Sequence, residues 1–250
     1  MYHQVRKRLV KWLAAAVLTV TITGGVTAAA PKPAQAAGWI DIAVEVAISL
    51  YSGSGGGGGD LERAKQEIIN AVNASKQEIL NHIDAIASAD VRACAQAGTL
   101  LISQIDAMDE YTLPVFMQNS VNCATLASSY FDAVQSLPAA DAIGKLIGEI
   151  YAIAMVAFVK VGFTTEELLD SLIRTYEAVV TKLAPTCREW KVREPGVPVE
   201  IWYECVAYNG DKATDFGPPL DRAAIANEAT RNTSRAVAVA SLPRLRALRG

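Results

Sequence analysis

LERAKQEIINAVNASKQEILNHIDAIASADVRA, residues 61–93, is the longest periodic run in the chain. Ile68, Val72, Ser75, Ile79, His82, Ile86, Ala89 and Ala93 follow one another at alternating steps of four and three, the spacing that keeps one face of an α-helix toward a partner. Ile69 and Ile83 widen the stripe, while Glu62, Arg63, Lys65, Gln66, Glu67, Lys76, Gln77, Glu78 and Asn81 make an outer face of good helix formers. Asp60 stands at the N-cap position, with Arg63 where a capping box would have Glu. The run predicts one long amphipathic helix with the remaining elements packed against it. It holds no catalytic motif.

Outward toward the N-terminus the character changes. Arg6, Lys7, Arg8 and Lys11 precede an apolar run from Leu13 to Ala30, which Pro31 and the triplet Ala34-Gln35-Ala36 follow. A basic n-region, an apolar h-region and a small-x-small site predict a secretory signal peptide over residues 1–36, cleaved after Ala36. The competing reading is a retained anchor, because the uncharged stretch from Trp12 to Pro31 is nearly long enough to span a bilayer. Arg6 and Arg8 are split by Lys7, so no twin-arginine signal is present, and the general secretory route is expected.

Processing removes five basic residues (Arg6, Lys7, Arg8, Lys11, Lys32) and no acid from the chain's 23 basic and 26 acidic residues, which leaves a net charge of −8. An acidic surface repels phosphate and argues against nucleic acid as a partner. All four cysteines lie beyond the leader, at Cys94, Cys123, Cys187 and Cys205. An even number in an exported chain predicts two disulfides. Of three formal pairings, Cys94–Cys123 and Cys187–Cys205 join neighbours in sequence and each suits a local hairpin. Zinc is disfavoured, since no C-x-x-C pair exists and processing leaves one histidine.

Residues 37–52 read as a short apolar helix with Trp39, Val46, Ala47, Leu50 and Tyr51 on one face. Residues 53–59, mostly glycine, read as a flexible tether rather than a phosphate loop, because no Lys or Ser/Thr follows at the required place. Residues 60–185 form the expected bundle. Beyond Ala93, Gly98 interrupts a pattern that Leu100, Leu101, Ile102, Ile105 and Met108 resume, either in the same helix or in a second one. Pro114 marks a break near Glu110, and a helix from Val115 to Ser136 is closed by Leu137 and Pro138. A hairpin of these helices would set Cys94 and Cys123 on facing arms.

Ala139 to Gly162 is the most apolar segment, with Ile150, Tyr151, Ile153, Met155 and Phe158 in a charge-free run and Gly144 and Gly148 in a Gly-x-x-x-Gly step. Asp141, Lys145, Glu149 and Lys160 oppose a stable span. The segment is expected to be a buried central helix, with membrane insertion after a conformational change as the alternative. Thr164 and Glu167 form a capping box for a helix through Leu168, Leu169, Leu172, Ile173, Tyr176, Val179, Val180 and Leu183, ended by Pro185.

Residues 186–210 change to strand texture around the turn pair Pro195-Gly196. A register about Gly196 sets Cys187 opposite Cys205, Arg188 opposite Glu204 and Trp190 opposite Trp202, so a disulfide, an ion pair and an aromatic pair agree on one alignment. The exposed aromatics, with Arg188, Glu200 and Glu204 on the same face, either cover the bundle or present a recognition patch. Asn209, Gly210 and Asp211 are read as a turn, and residues 211–241 as a C-terminal loop and helix, with the loop at Gly217 to Pro219 and one alanine-rich helix from Asp221 to Ser241. The basic tail 242–250 is expected to fray.

The means for catalysis are few. His82 lies on the apolar seam, and Ser75, two turns away, is roughly 10 Å along the axis, too far for a nucleophile and base in contact. No Gly-x-Ser-x-Gly elbow, His-Glu-x-x-His pair or dinucleotide fingerprint occurs. The pairs Asp109 with Glu110 and Glu166 with Glu167 diverge on a helix, which disfavours a glycosidase.

The run from Ala64 to Asp84, preceded by a glycine-rich stretch and followed by Cys94, resembles uncharacterised secreted helical proteins of high-GC Gram-positive bacteria over residues 60–95. That resemblance implies export and brings no activity with it. In architecture alone, an apolar segment held inside a bundle is similar to helical pore-forming toxins, without a toxin motif. The sequence therefore predicts a mainly α protein: a helical bundle with a small disulfide-linked C-terminal β-hairpin. It is expected to be secreted, non-catalytic, without a cofactor, and to act on an unidentified protein or membrane partner. The alternative is membrane activity through the 139–162 segment or through the tethered Trp39 to Tyr51 helix.

Overall fold

The computed structural model describes residues 45–47, 49–50, 58–84, 89–193 and 199–249, with residues 58–60 and 75–84 by backbone alone. The expected signal peptide, most of the expected 37–52 helix, residues 53–57 of the expected tether, the Pro195-Gly196 turn and the side chains of Ser75 and His82 lie outside the described residues, while Gly58 and Gly59 belong to the first helix instead of the tether. In chain order the elements are α1 (Gly58–Asp84), α2 (Ala89–Leu101), a 3-10 helix (Ile102–Ala107), α3 (Thr112–Ala133), α4 (Leu137–Val161) and α5 (Glu166–Lys182). Strands β1 (Thr186–Val192), β2 (Glu200–Val206) and β3 (Lys212–Phe216) follow, then α6 (Arg222–Ala229) and α7 (Ser234–Ala247).

The organising helix is α4 rather than the 61–93 run. Every residue from Leu146 to Ala157 is buried, more than three turns with no solvent side, which is what a helix apolar all round requires. Helices α1, α2, α3, α5 and α7 all pack on it. Amphipathic helices each have one stripe to hide, so the uniformly apolar helix takes the middle. Val46 and Ala47 are buried in the same core, and Leu50 packs against it.

The periodic run divides between α1 and α2, with residues 85–88 outside the described residues. Ile68 and Val72 are buried as predicted, but Ala89 and Ala93 are exposed, and Val91 and Ala95 take the inner positions. The phase carried over from α1 does not hold in α2. Lys65, placed on the outer face by its charge, is buried and forms ion pairs with Glu62 and Asp106, and Asp106 also meets Lys160 at 2.8 Å. Burial lowers the Lys65 pKa, but the hydrogen bonds and charges of Asp106 and Glu62 outweigh it and leave the ammonium favoured.

Gly98 sits inside α2, which tightens into the 3-10 helix after Leu101. Helix α3 begins at Thr112 rather than Val115, because Pro114 falls in the first turn, where no intrahelical partner is lost. Asp109, weighed as one of a catalytic pair, instead accepts the Thr112 N–H at 2.8 Å and the Tyr111 N–H at 3.1 Å ahead of that turn. Likewise Pro138 opens α4 instead of closing α3. The Cys94–Cys123 disulfide pins α2 to α3 as expected, with a Cα separation of 5.5 Å.

The capping box at Thr164 is not formed; Thr165 is the N-cap of α5 and neither threonine caps through its side chain. Polar groups in the core find one another: Ser128 meets Tyr151 at 2.8 Å and Thr175 at 2.9 Å, and Tyr151 meets Ser171 at 2.8 Å, joining α3, α4 and α5. Lys182 closes the C-terminus of α3, donating to the carbonyls of Asp132 and Val134 at 2.8 Å and to that of Phe131.

The expected C-terminal helix is two. Helix α6 is capped by Asp221, and a turn at Thr230 to Thr233 leads into α7. The tail is not frayed: α7 runs to Ala247, Leu242 and Leu245 are buried, and Arg244, Arg246 and Arg249 pair with Glu45, Glu177 and Asp170. Its basic residues read as a solvated end, yet one face of the helix carries leucines. Asp141 of α4 fastens the start of α7, accepting the Ser234 N–H at 2.6 Å and the Tyr208 hydroxyl at 2.7 Å.

Candidate functional site

The strand segment folds in the predicted register, with Cys187 opposite Cys205, Arg188 opposite Glu204 and Trp190 opposite Trp202. A third strand, β3, adds to β2 and turns the hairpin into a meander of order β1-β2-β3. The signal for it was present: Asn209-Gly210 is a strong hairpin turn, and Lys212-Ala213-Thr214-Asp215-Phe216 alternates after it. Gly210 takes a φ of 87°, the left-handed conformation such a turn needs.

Strand alternation sorts the side chains onto two faces. One carries Cys187, Tyr203, Cys205 and Ala213, and packs on Ile225, Ala226 and Ala229 of α6 and on Leu220. The Cys187–Cys205 disulfide lies within that small core, with a Cα separation of 4.1 Å. Arg222 of α6 braces this side, 2.6 Å from Glu189 and with its guanidinium carbon 5.5 Å from the Tyr203 ring centre.

The other face carries Arg188, Trp190, Glu200, Trp202, Glu204 and Phe216, and none of these residues belongs to either apolar cluster. Trp190 and Trp202 stack at 6.1 Å and 18°, and Trp202 and Phe216 at 4.8 Å and 20°, so three rings form a ladder across all three strands. The cross-strand spacing of about 4.8 Å sets this repeat. Trp190 is 37% exposed and Phe216 53%. The Arg188 guanidinium carbon lies 5.3 Å from the Trp190 ring centre, while its nitrogen reaches Glu204 at 2.7 Å. The indole N–H of Trp202 donates to Glu200 at 3.2 Å. These contacts hold the rings upright and fix their polar edges. The sequence placed five of these six residues on one face; Phe216, the outer rung, it did not include.

The residues considered for a membrane segment lie elsewhere. Ile150, Tyr151, Ile153 and Met155 are buried in the α4 core, and Phe158 meets the exposed Phe163 in a tilted pair with ring centres 5.1 Å apart. Within that core Glu149 is buried. Its Oε1 lies 2.8 Å from the Thr99 hydroxyl, while Oε2 has no hydrogen-bond partner. Burial pushes the Glu149 carboxyl up to about 7 against a smaller opposing effect of the Thr99 hydrogen bond. Among the described residues its one hydrogen-bond partner is Thr99. A separate groove of about 720 Å³ runs along the α2–α3 hairpin beside the Cys94–Cys123 bond, lined by Ala93, Gly98, Leu101, Met108, Val115 and Phe116. Its walls are mostly apolar. Among the described residues no group of His, Cys, Asp and Glu is placed to hold a metal ion.

No family model matches the chain, and neither a curated protein nor a solved structure matches it.

Proposed function

We propose that this is an exported, non-catalytic binding protein that uses the open aromatic face of its C-terminal sheet to engage a protein partner. The observation that carries the reading is the ladder of Trp190, Trp202 and Phe216, which among the described residues lies outside both apolar cores with its outer rings exposed, while the opposite face of the same sheet is packed. Aromatic residues exposed in a group, with polar residues at their rim, are the composition of interface hot spots. Glu200 and Glu204 flank the rings, and the chain without its leader is acidic, so the complementary surface is apolar with basic groups around it. Disulfides that use every cysteine suit an oxidising compartment.

Affinity capture from extracellular fractions tests this reading, comparing the wild type with Trp190→Ala/Phe216→Ala and with Leu101→Ala in the α2–α3 groove. The reading expects a partner that both wild type and Leu101→Ala retain, that Trp190→Ala/Phe216→Ala loses, and whose association slows as salt rises. Equal capture by all three proteins would remove it.

The second reading is entry of α4 into a membrane. Among the described residues α4 is the one helix long and apolar enough to cross, with a mean hydropathy of 1.8, although 83% of that window is buried. Dye release from liposomes at neutral and acid pH is the test, and an absence of release under all lipid compositions would eliminate it.

A further inference from the structure

The aromatic ladder stops at β1 because the sheet stops there. β1 is the outer strand of the order β1-β2-β3, and five of its seven residues are exposed. The direction of its backbone groups follows from the other side of the sheet. The Ala207 N–H donates to the Asp211 carbonyl at 2.9 Å, and the Gly217 N–H to the Ile201 carbonyl at 3.0 Å. In an antiparallel sheet, successive residues turn their N–H and C=O groups to opposite sides. The odd-numbered residues of β2 therefore bond toward β3 and the even-numbered ones toward β1. Carried through the β1–β2 register, Arg188, Trp190 and Val192 bond to β2, and Cys187, Glu189 and Lys191 turn their backbone groups outward. The short Cα separation of the Cys187–Cys205 pair, 4.1 Å, agrees with a pair that exchanges no backbone hydrogen bonds. Among the described residues no backbone hydrogen bond reaches β1 from anywhere except β2.

Such an edge is a template for one more strand. A second copy of β1 can meet it antiparallel about a two-fold axis, and the side chains choose where the axis falls. An axis at residue 188 sets Arg188 against Arg188, one at 189 sets Glu189 against Glu189, and one at 191 sets Lys191 against Lys191. Each opposes like charges. An axis at Trp190 instead sets Glu189 against Lys191 on both sides and Trp190 against Trp190. Lys191 has no ion-pair partner among the described residues, and Glu189 is already bonded to Arg222 at 2.6 Å. At that axis the two Trp190 residues form a pair without backbone hydrogen bonds between them, the kind that brings side chains closest.

From this edge we infer that two copies of the chain associate by antiparallel β1–β1 pairing about Trp190. The product is a six-stranded sheet with four ladder hydrogen bonds between the Glu189 and Lys191 backbones. Its open face carries the two aromatic ladders end to end. The inference goes beyond the binding role of that face and does not depend on it, since Glu189 and Lys191 project from the opposite side of the sheet.

Sedimentation equilibrium of the oxidised protein, taken up to millimolar chain concentration, tests it. The wild type is expected to show a concentration-dependent dimer. Lys191→Glu, which gathers four carboxylates around the axis, weakens it by about tenfold or more. Glu189→Lys/Lys191→Glu/Arg222→Glu, which exchanges the charges across the axis and keeps an opposite charge beside residue 189, restores it. Circular dichroism of the stacked tryptophans in each variant checks that the sheet is intact. A wild type that is monomeric throughout, a dimer indifferent to Lys191→Glu, or one that the exchange does not restore each overturns the inference. In the first case Lys191 would be a guard against edge pairing instead.

Discussion

Among the described residues, Glu149 is the buried carboxyl whose pKa moves furthest toward neutral pH. Its carboxyl is enclosed at the middle of α4, with one oxygen near Thr99 and the other without a partner. Thr99 has a single hydroxyl proton and two acceptors at 2.8 Å, the Ala95 carbonyl and Glu149. When Glu149 is neutral, its own proton can bridge to the Thr99 oxygen while Thr99 donates to Ala95. When Glu149 is ionised, one acceptor must go without. Its pKa rises from 4.5 in the free group to about 7 in the fold, and the native state therefore binds one more proton than the unfolded chain between those values.

The sign follows. The raised pKa favours the native state fully below pH 4.5, and this advantage is lost as pH rises through about 7. Relative to the protonated fold the loss amounts to about 3 kcal/mol. Glu149→Met removes the titration at similar length and leaves Thr99 bonded to Ala95. Urea unfolding followed by far-UV circular dichroism, repeated from below pH 4.5 to above pH 7, measures the difference between the two proteins. The variant is expected to gain on the wild type by about 3 kcal/mol across that window, accumulating evenly between the two pKa values. Other carboxylates titrate equally in both proteins and cancel. A difference that stays flat with pH would refute the reasoning, whatever its size.

Other perturbations address the junctions between helices. A Cβ on Gly144 would lie 2.3 Å from the Ser234 hydroxyl and 2.9 Å from its Cβ, so Gly144→Ala should destabilise by about 1–3 kcal/mol. Adding Ser234→Gly should recover part of the lost melting temperature. Asp141→Ala leaves the Ser234 N–H and the Tyr208 hydroxyl without their acceptor, for a loss of about 3 kcal/mol by denaturant titration. Asp141→Asn, which keeps an oxygen, should lose less. Lys182→Met opens the C-terminus of α3, where three carbonyls share its ammonium, and should cost about 1–2 kcal/mol and speed amide exchange there first.

Much of this was legible because the deciding signals are local. The helices after Pro114 and Thr165 end within a few residues of where proline, glycine and apolar spacing put them, as an i→i−4 ladder obeys short-range rules. The β1–β2 register was read from three pairs that had to be satisfied together, since a one-residue slip would turn every side chain to the wrong face. The misreadings share a cause. Lys65 was assigned outward by its charge, but Asp106 and Glu62 meet it inside. Thr164 offered a capping pattern, and α5 began one residue later without it. The tail was judged by its arginines, whose partners Glu45, Glu177 and Asp170 are all distant in sequence.

The amino-acid order by itself determined the helical class, the two disulfide pairs and the alignment of the first two strands, because spacing, turn residues and complementary cross-strand pairs act within a few tens of residues. The sequence also marked α4 as a buried central helix, whereas tertiary structure alone decided that the other helices gather on it rather than on the 61–93 run, that Lys65 and Glu149 are enclosed, and which face of the sheet stays open. These depend on which stripes meet, and burial is a property of the neighbour as much as of the residue. The aromatic ladder belongs to both levels: alternation put its rings on one side, and the docking of α6 against the other side left them uncovered.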